Sequence, residues 1–497
     1  MTIVNSKILG VCALILINNM ITAQSKKNIN LEQAPTVRAG MTTTFTSKFF
    51  EEYRTWVMDL FEEKMQDFEL ADSKKQFNAG IGKVFIDLSN QKLISFDIDS
   101  DKSSIAINDK QPYLVFKLEG IDLSFQTNFT LNSKPDWLSD SGLGKIDIKD
   151  LSIQLHLIPF AKDGKIQVDF SDSIVNITDY NAKFDGSTDF TKIFNIILKN
   201  FKTFFKNEVG NVLSMKIAKT FEQRLNELLF SNPSIFTVME NQVYLNYTLI
   251  GEPVFNKDYM TVSFDGTFMH EPTGDHQSVE LQEIPSYYDQ GKEIQIYISE
   301  QSLNSILQTL HQMGSLKLDQ GEIMSQIVEM ILNNFAVVFG KTSKARMIME
   351  ADESKPSLRI TKDKTFIETD VRLHIKNPYN DQYDACIIYS KLEVELKLEV
   401  LSGFNLTGKV LNVTFTVHNM KAFFETKSTV EDIQDQIQVF VAPIQNSMNQ
   451  KLKKGIKLPM PKLIQSDLSD SDLIQFDHFI MIQADPINKQ DKTEVVQ

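Results

Sequence analysis

The chain has 497 residues, a formal net charge of −14, and 42% hydrophobic against 23% charged residues. That balance excludes a disordered chain, and the length exceeds what a single core usually holds, so two large domains are expected. Residues 24–250 carry 26 basic and 30 acidic side chains and residues 251–497 carry 24 and 35, so neither half offers the basic face that nucleic acid requires.

Lys7 precedes the apolar-leaning run from Ile8 to Ile17, and Ile21-Thr22-Ala23 supplies small residues after it, the pattern of a secretory signal over residues 1–23. The run is too short to span a bilayer. Cys12 would leave with that signal, so Cys386 remains alone and no intramolecular disulfide is expected. Sequons at Asn128, Asn176, Asn246, Asn405 and Asn412 fit glycosylation of a secreted, extracellular or lumenal protein.

Gln24 to Thr36 is polar and reads as extended. From Thr46 onward Phe49, Phe50, Tyr53, Val57, Leu60, Phe61 and Met65 recur at three- and four-residue steps, which predicts a helix with one apolar stripe. Long period-two runs follow. In Leu114, Phe116, Leu118, Ile121, Leu123 and Phe125 the alternation slips by one residue at Gly120, and a second slip separates Ile146 and Ile148 from Leu151, Ile153, Leu155 and Leu157. Each slip predicts a bulge in a long antiparallel strand with one apolar face. Phe190 to Leu229 returns to helical spacing, with Asp189 as its cap and seven Lys or Arg side chains on the remaining face. A break is expected at Asn232-Pro233.

The second half repeats the order. Val243 to Leu249 and Met260 to Phe268 read as strands, Pro272, Gly274, Pro285 and Gly291 as linker-like, and Glu293 to Ile298 as a strand feeding a helix with Leu303, Ile306, Leu307 and Leu310. A further apolar helix is expected near Glu322 to Phe339, then strands in Leu392 to Val400 and Leu411, Val413, Phe415 and Val417. A capping box at Ser428 to Glu431 opens a helix carrying Ile433, Ile437, Phe440, Val441, Ile444, Met448 and Leu452, kinked at Pro443 and stopped at Gly455.

These residues resemble the family of bactericidal/permeability-increasing protein, lipopolysaccharide-binding protein and the plasma lipid-transfer proteins. The resemblance is most specific in Ile298-Ser299-Glu300-Gln301-Ser302-Leu303-Asn304-Ser305 and in Gln450-Lys451-Leu452-Lys453-Lys454-Gly455-Ile456-Lys457-Leu458-Pro459-Met460-Pro461. It extends more weakly to Leu245 to Leu249 and Phe264 to Phe268. It implies an α+β fold: an elongated boomerang of two pseudo-symmetric domains, each a twisted antiparallel sheet wrapped around a long helix, joined by a central sheet. The corresponding division is residues 24–250, a central sheet and linker over 251–290, and residues 291–497. The family's N-terminal-domain disulfide has no counterpart, since the segments around Val168 to Phe170 and around Met215 lack Cys.

The family likeness implies an apolar pocket for phospholipid or another acyl lipid in each domain. Phe49, Tyr53, Val57, Phe61, Ile197, Phe201 and Phe204 are the expected lining of the first, and Leu303, Ile306, Leu310, Ile433, Ile437 and Val441 of the second; the competing reading is ordinary dry core. The expected partners are lipid and a peripheral membrane or lipid-particle surface, with the chain a monomer and no cofactor or metal. The alternative is an innate-immune lipopolysaccharide-binding protein, for which Lys74, Lys75 and Lys83 offer only a small basic patch. An enzyme is not expected. Gly-x-Ser-x-Gly and His-Glu-x-x-His are absent, His270 and His276 sit in a polar loop with Glu271 and Asp275, and Cys386 has no activating cation in its neighbouring sequence.

Overall fold

The computed structural model describes residues 35–52, 54–65, 69–70, 72–78, 82–108, 110–136, 138–186, 215, 218–227, 229, 233–239, 243–271, 279–289, 291–401, 404–458 and 471–485. The fold is α+β, dominated by antiparallel sheets with few helices. The described residues divide into two compact units: an N-terminal unit drawn from residues 45–232 with 252–260, and a C-terminal unit drawn from residues 35–44, 233–251 and 261–485. The early residues join the C-terminal unit because Thr36–Ala39 pairs antiparallel with Gln282–Pro285 and the Ser299 N–H donates to the Gly40 carbonyl at 3.0 Å. Pro285 therefore ends a strand and is not linker, as the sequence had implied.

In the N-terminal unit the expected first helix is present over the described residues Ser47–Glu52 and Arg54–Met65. The sheet behind it is built on Lys83–Asp97, Leu114–Lys134, Ser139–Lys162 and Lys165–Gly186 as successive neighbours. Both predicted slips are bulges. Gly120 has φ +66°, and between the pairs Leu118↔Ile153 and Ile121↔Leu151 its strand carries one residue more than its partner. Asp150, at φ +49°, is the extra residue on the partner between Ile148 and Leu151. The two insertions offset each other, so Leu114, Phe116, Leu118, Ile121, Leu123 and Phe125 all stay buried on one face opposite Ile146 to Leu157. A Cβ on Gly120 would stand 2.6 Å from the Asp99 Cβ. Gly120→Ala combines that clash with a left-handed backbone and is expected to cost this unit about 1–3 kcal/mol, read as a lowered midpoint in urea denaturation.

Most of the predicted long helix, Phe190 to Leu229 with its cap Asp189, lies outside the described residues, but residues 218–227 are helical. They dock on the sheet through Phe221, whose ring meets Phe170 at 5.3 Å and Phe116 at 6.0 Å. The Asn226 side-chain amide completes the contact, donating to the Val168 carbonyl and accepting from the Val168 N–H, both at 2.8 Å. A polar clamp thus ties helix to strand at Val168.

In the C-terminal unit the main sheet runs Lys317–Met324, Lys344–Ala351, Thr365–Asn377, Asn380–Leu401, Asn405–Ala422 and Ile456–Lys457, each antiparallel to the next. Its outer face is a lattice of ion pairs, among them Lys364–Glu395 at 2.8 Å and Lys391–Glu368 at 2.9 Å. Its inner face is apolar and closes over Ile433, Ile437, Phe440 and Ile444.

Three expectations change here. The single helix expected near Glu322 to Phe339 is the end of a strand followed by the short helices Ser325–Glu329 and Phe335–Phe339. Asn334 breaks it by adopting φ +72°, and the Glu329 carboxylate accepts from the Asn334 and Ala336 N–H groups across the break. Leu411 points outward because the pairs Glu395↔Asn412 and Leu396↔Val410 leave it as an unpaired bulge residue. The capping box is one residue further on: Thr429 accepts from the Asp432 N–H at 3.2 Å and Asp432 accepts from the Thr429 N–H at 2.8 Å. Those hydrogen bonds from Thr429 hold the Asp432 carboxyl below its ordinary range. The helix then runs Val430–Gln436, tightens to a 3₁₀ turn at Ile437–Phe440 just ahead of Pro443, and resumes over Val441–Leu452, with Gly455 at φ +66° beyond it.

Candidate functional site

Of the residues expected to line the first pocket, Phe49 is buried on the helix Ser47–Glu52, with its ring 4.9 Å from Phe45 and 5.3 Å from Phe50. Val57 is half-buried on Arg54–Met65. Tyr53, Ile197, Phe201, Phe204 and the side chain of Phe61 lie outside the described residues. Sequence reasoning missed Met58, which is 1% exposed, although it follows Phe50 by eight residues and so falls on the same helical face.

The second set separates onto two elements. Ile433 and Ile437 are fully buried, and Val441 packs beside them in one cluster with Phe415, Phe440 and Val413 from the sheet and helix. Leu303, Ile306 and Leu310 sit on Glu300–Gln312 outside that cluster; the first two are buried and Leu310 is half-buried. The expectation of one pocket per domain had grouped the two stripes, and a periodicity reports a face but not the face opposite.

The motif Ser299 to Ser305, the most specific stretch of the resemblance, is a set of polar clamps. Ser299 caps the helix by accepting from the Ser302 N–H at 3.1 Å, and the Ser302 hydroxyl donates to the Gly266 carbonyl. The Asn304 amide donates to the Leu358 carbonyl at 2.8 Å and accepts from the Leu358 N–H at 2.6 Å. Ser305 accepts from the Phe268 N–H at 2.9 Å, Thr309 donates to the Phe268 carbonyl at 3.0 Å, and Glu300 accepts from the Ile360 N–H at 2.6 Å. Each side chain thus satisfies a backbone group, of the helix start at Ser302 or of a neighbouring segment, that would otherwise lack this partner.

The titratable side chains offer little chemistry. Cys386 is fully buried, and burial, with Asp384 as a lesser cause, pushes its thiol up to about 12, far from a nucleophilic thiolate. His374 lies between Glu350 at 3.0 Å and Asp384 at 3.1 Å, within the ion-pair lattice. Tyr247, half-buried and stacked on Phe264 at 3.7 Å with a hydrogen bond to Thr43 at 3.1 Å, has its phenol pushed up to about 12 by loss of solvent around the hydroxyl. Lys74 of the small basic patch is paired with Asp87 at 2.9 Å, and Lys83 is exposed. His270 is exposed, whereas His276 and Asp275 lie outside the described residues.

Taken by its architecture, the protein is of the class built from long one-sided antiparallel sheets that close over apolar helices, with polar clamps at the joins. Residues 237–486 match the model of the LBP/BPI/CETP family, C-terminal domain, and the chain belongs to that family. The crystal structure of lipopolysaccharide binding protein is similar, with a TM-score of 0.52 at 14% identity, covering 90% of this chain and 99% of that one. P47 of Clostridium botulinum E1 aligns over 91% of this chain and 100% of its own at 11% identity, with a TM-score of 0.30. Takeout 1 of Epiphyas postvittana aligns over 38% and 93% at 17% identity, with a TM-score of 0.29. With scores this low, the last two add nothing about the fold. No curated protein matches the chain.

Proposed function

We propose that this protein is a secreted carrier of phospholipid or a similar acyl lipid, which it holds in apolar interiors, and that it is not an enzyme. The observation that carries the reading is membership of a family whose members bind or transfer lipid. Physical chemistry agrees with it. Burying hydrocarbon yields about 0.8 kcal/mol per CH₂, so an apolar hollow extracts acyl chains without a charged contact. Ile433, Ile437 and Val441 with the sheet residues around them, and Phe49 with Val57 in the other unit, are the lining in this reading. The signal is cut near Ala23, and Asn128, Asn176 and Asn412, whose side chains are exposed, are the favoured glycosylation sites. The protein works as a monomer, touches lipid surfaces peripherally and binds no nucleic acid.

Mass spectrometry of an organic extract of the purified protein tests this, alongside uptake of a fluorescent phospholipid at low and high salt. Acyl lipid in the extract and salt-indifferent uptake are expected, because apolar burial has no ionic component to screen. An extract free of acyl lipid together with absent uptake overturns the proposal. Uptake confined to lipopolysaccharide and falling steeply with salt would replace it with capture of endotoxin by charge.

A further inference from the structure

Antiparallel order brings five strand ends of the C-terminal sheet together. Met324, Lys344, Asn377, Asn380 and Ala422 each begin or end a strand there, and the ladder places them at one edge. The helices Ser325–Glu329 and Phe335–Phe339 cover this end. Their inner side chains, including Val328, Phe335 and Phe339, enter the core. Apart from Gln326, the outer ones are apolar, unlike ordinary water-facing positions. Met330, Val337 and Val338 stand exposed, Val337 at 74%, and Tyr379, Tyr383 and Phe423 join them from the adjoining strand ends. The Tyr379 hydroxyl donates to the Phe339 carbonyl at 2.8 Å, and the Phe423 N–H donates to the Ala385 carbonyl at 2.8 Å, which fixes both segments beside the helices.

The charges around this patch are arranged in a telling way. Glu329 is turned inward onto the N–H groups of Asn334 and Ala336, and Glu322 is paired with Lys344 at 3.0 Å. Asp319 and Asp381 are both paired with Arg346, and Asp384 is paired with Lys376 at 2.7 Å. Lys421 extends its ammonium over the Phe423 ring at 5.1 Å, and Lys341 is exposed nearby in sequence to Val338. Except for Glu425, exposed two residues beyond Phe423, carboxylates engaged in this way present little repulsion to phosphate, while aliphatic, tyrosine and lysine side chains together match the acyl boundary, headgroup layer and phosphates of a bilayer.

We propose that this end of the C-terminal unit docks into the interfacial layer of a zwitterionic phospholipid membrane. The contact is a surface property and does not rest on lipid being carried inside. The test is flotation of the full chain with phosphatidylcholine vesicles, comparing wild type, the triple variant Met330→Asp/Val337→Asp/Phe423→Asp, and the control Ile94→Asp/Leu143→Asp/Ile174→Asp. The control positions are also exposed, but on the N-terminal unit. Vesicle partition is expected to fall about tenfold or more in the patch variant and to persist in the control. The tryptophan emission of Val337→Trp is expected to shift to the blue on adding vesicles. Should the triple variant melt early, the single Val337→Asp and the Val337→Trp emission decide in its place.

A wild type that does not float, a patch variant that floats equally well, or an equal loss in the control overturns the proposal. So does a patch substitution that abolishes self-association in vesicle-free solution without changing flotation, which would make the patch a contact between copies. Acyl lipid measured in the same samples separates the two readings: protein free of internal lipid that still floats retires carriage alone, and loaded protein that does not float retires docking alone.

Discussion

Asn304→Leu is expected to destabilise the C-terminal unit by about 3 kcal/mol, seen as a lower urea midpoint at unchanged slope. Asn304 is 8% exposed, and its amide is the hydrogen-bond partner of both the N–H and the carbonyl of Leu358. Leucine fills similar space but leaves those two backbone groups buried and unpaired, each costing about 1–3 kcal/mol. Asn304→Asp keeps the acceptor for the N–H yet sets a carboxylate oxygen against the Leu358 carbonyl, so it is expected to be no milder. A loss below about 1 kcal/mol for both would show that the clamp contributes little.

Ile437→Trp is expected to lower the acyl lipid that co-purifies with the protein roughly fifteenfold. Ile437 is fully buried in the cluster with Ile433, Phe440 and Val413. If hydrocarbon lies against it, the added ring displaces about two methylenes, worth about 1.6 kcal/mol, and that converts to roughly fifteenfold in affinity. If the cluster is dry core, the same change overpacks it, costs about 1–3 kcal/mol of stability and leaves lipid content alone. Lipid content and the urea midpoint of one preparation therefore distinguish pocket from core. A normal lipid load with a lowered midpoint removes Ile437 from the lining.

The one-sided character of the sheets was legible in the sequence down to single residues. Gly120 and the step after Ile148 were readable as bulges because side chains alternate along a strand whatever pairs with it. The motif Ser299 to Ser305 was recognisable too, but its purpose was not. Serine and asparagine on a buried helical face resemble nothing in a periodicity, and only the neighbouring backbone at Gly266, Phe268, Leu358 and Ile360 reveals that each completes a backbone hydrogen bond. The candidate lining was legible only as stripes. Ile433 and Ile437 share a cluster that Leu303 and Ile306 do not enter, and a stripe carries no record of what lies across from it.

By itself, then, the amino-acid order determined the alternation of faces, the helix stripes and the slips. All of these arise from geometry within one segment, where neighbours are set by covalent spacing. Tertiary structure alone decided that Thr36–Ala39 pairs with Gln282–Pro285, that Asn334 splits an apolar stretch into two short helices, and that Leu411 turns outward. It also brought Met330, Val337, Tyr379 and Phe423 to one end of a sheet. The physical reason is that such outcomes depend on which distant backbone groups close a hydrogen bond and which register that closure selects, and no local period encodes a distant partner.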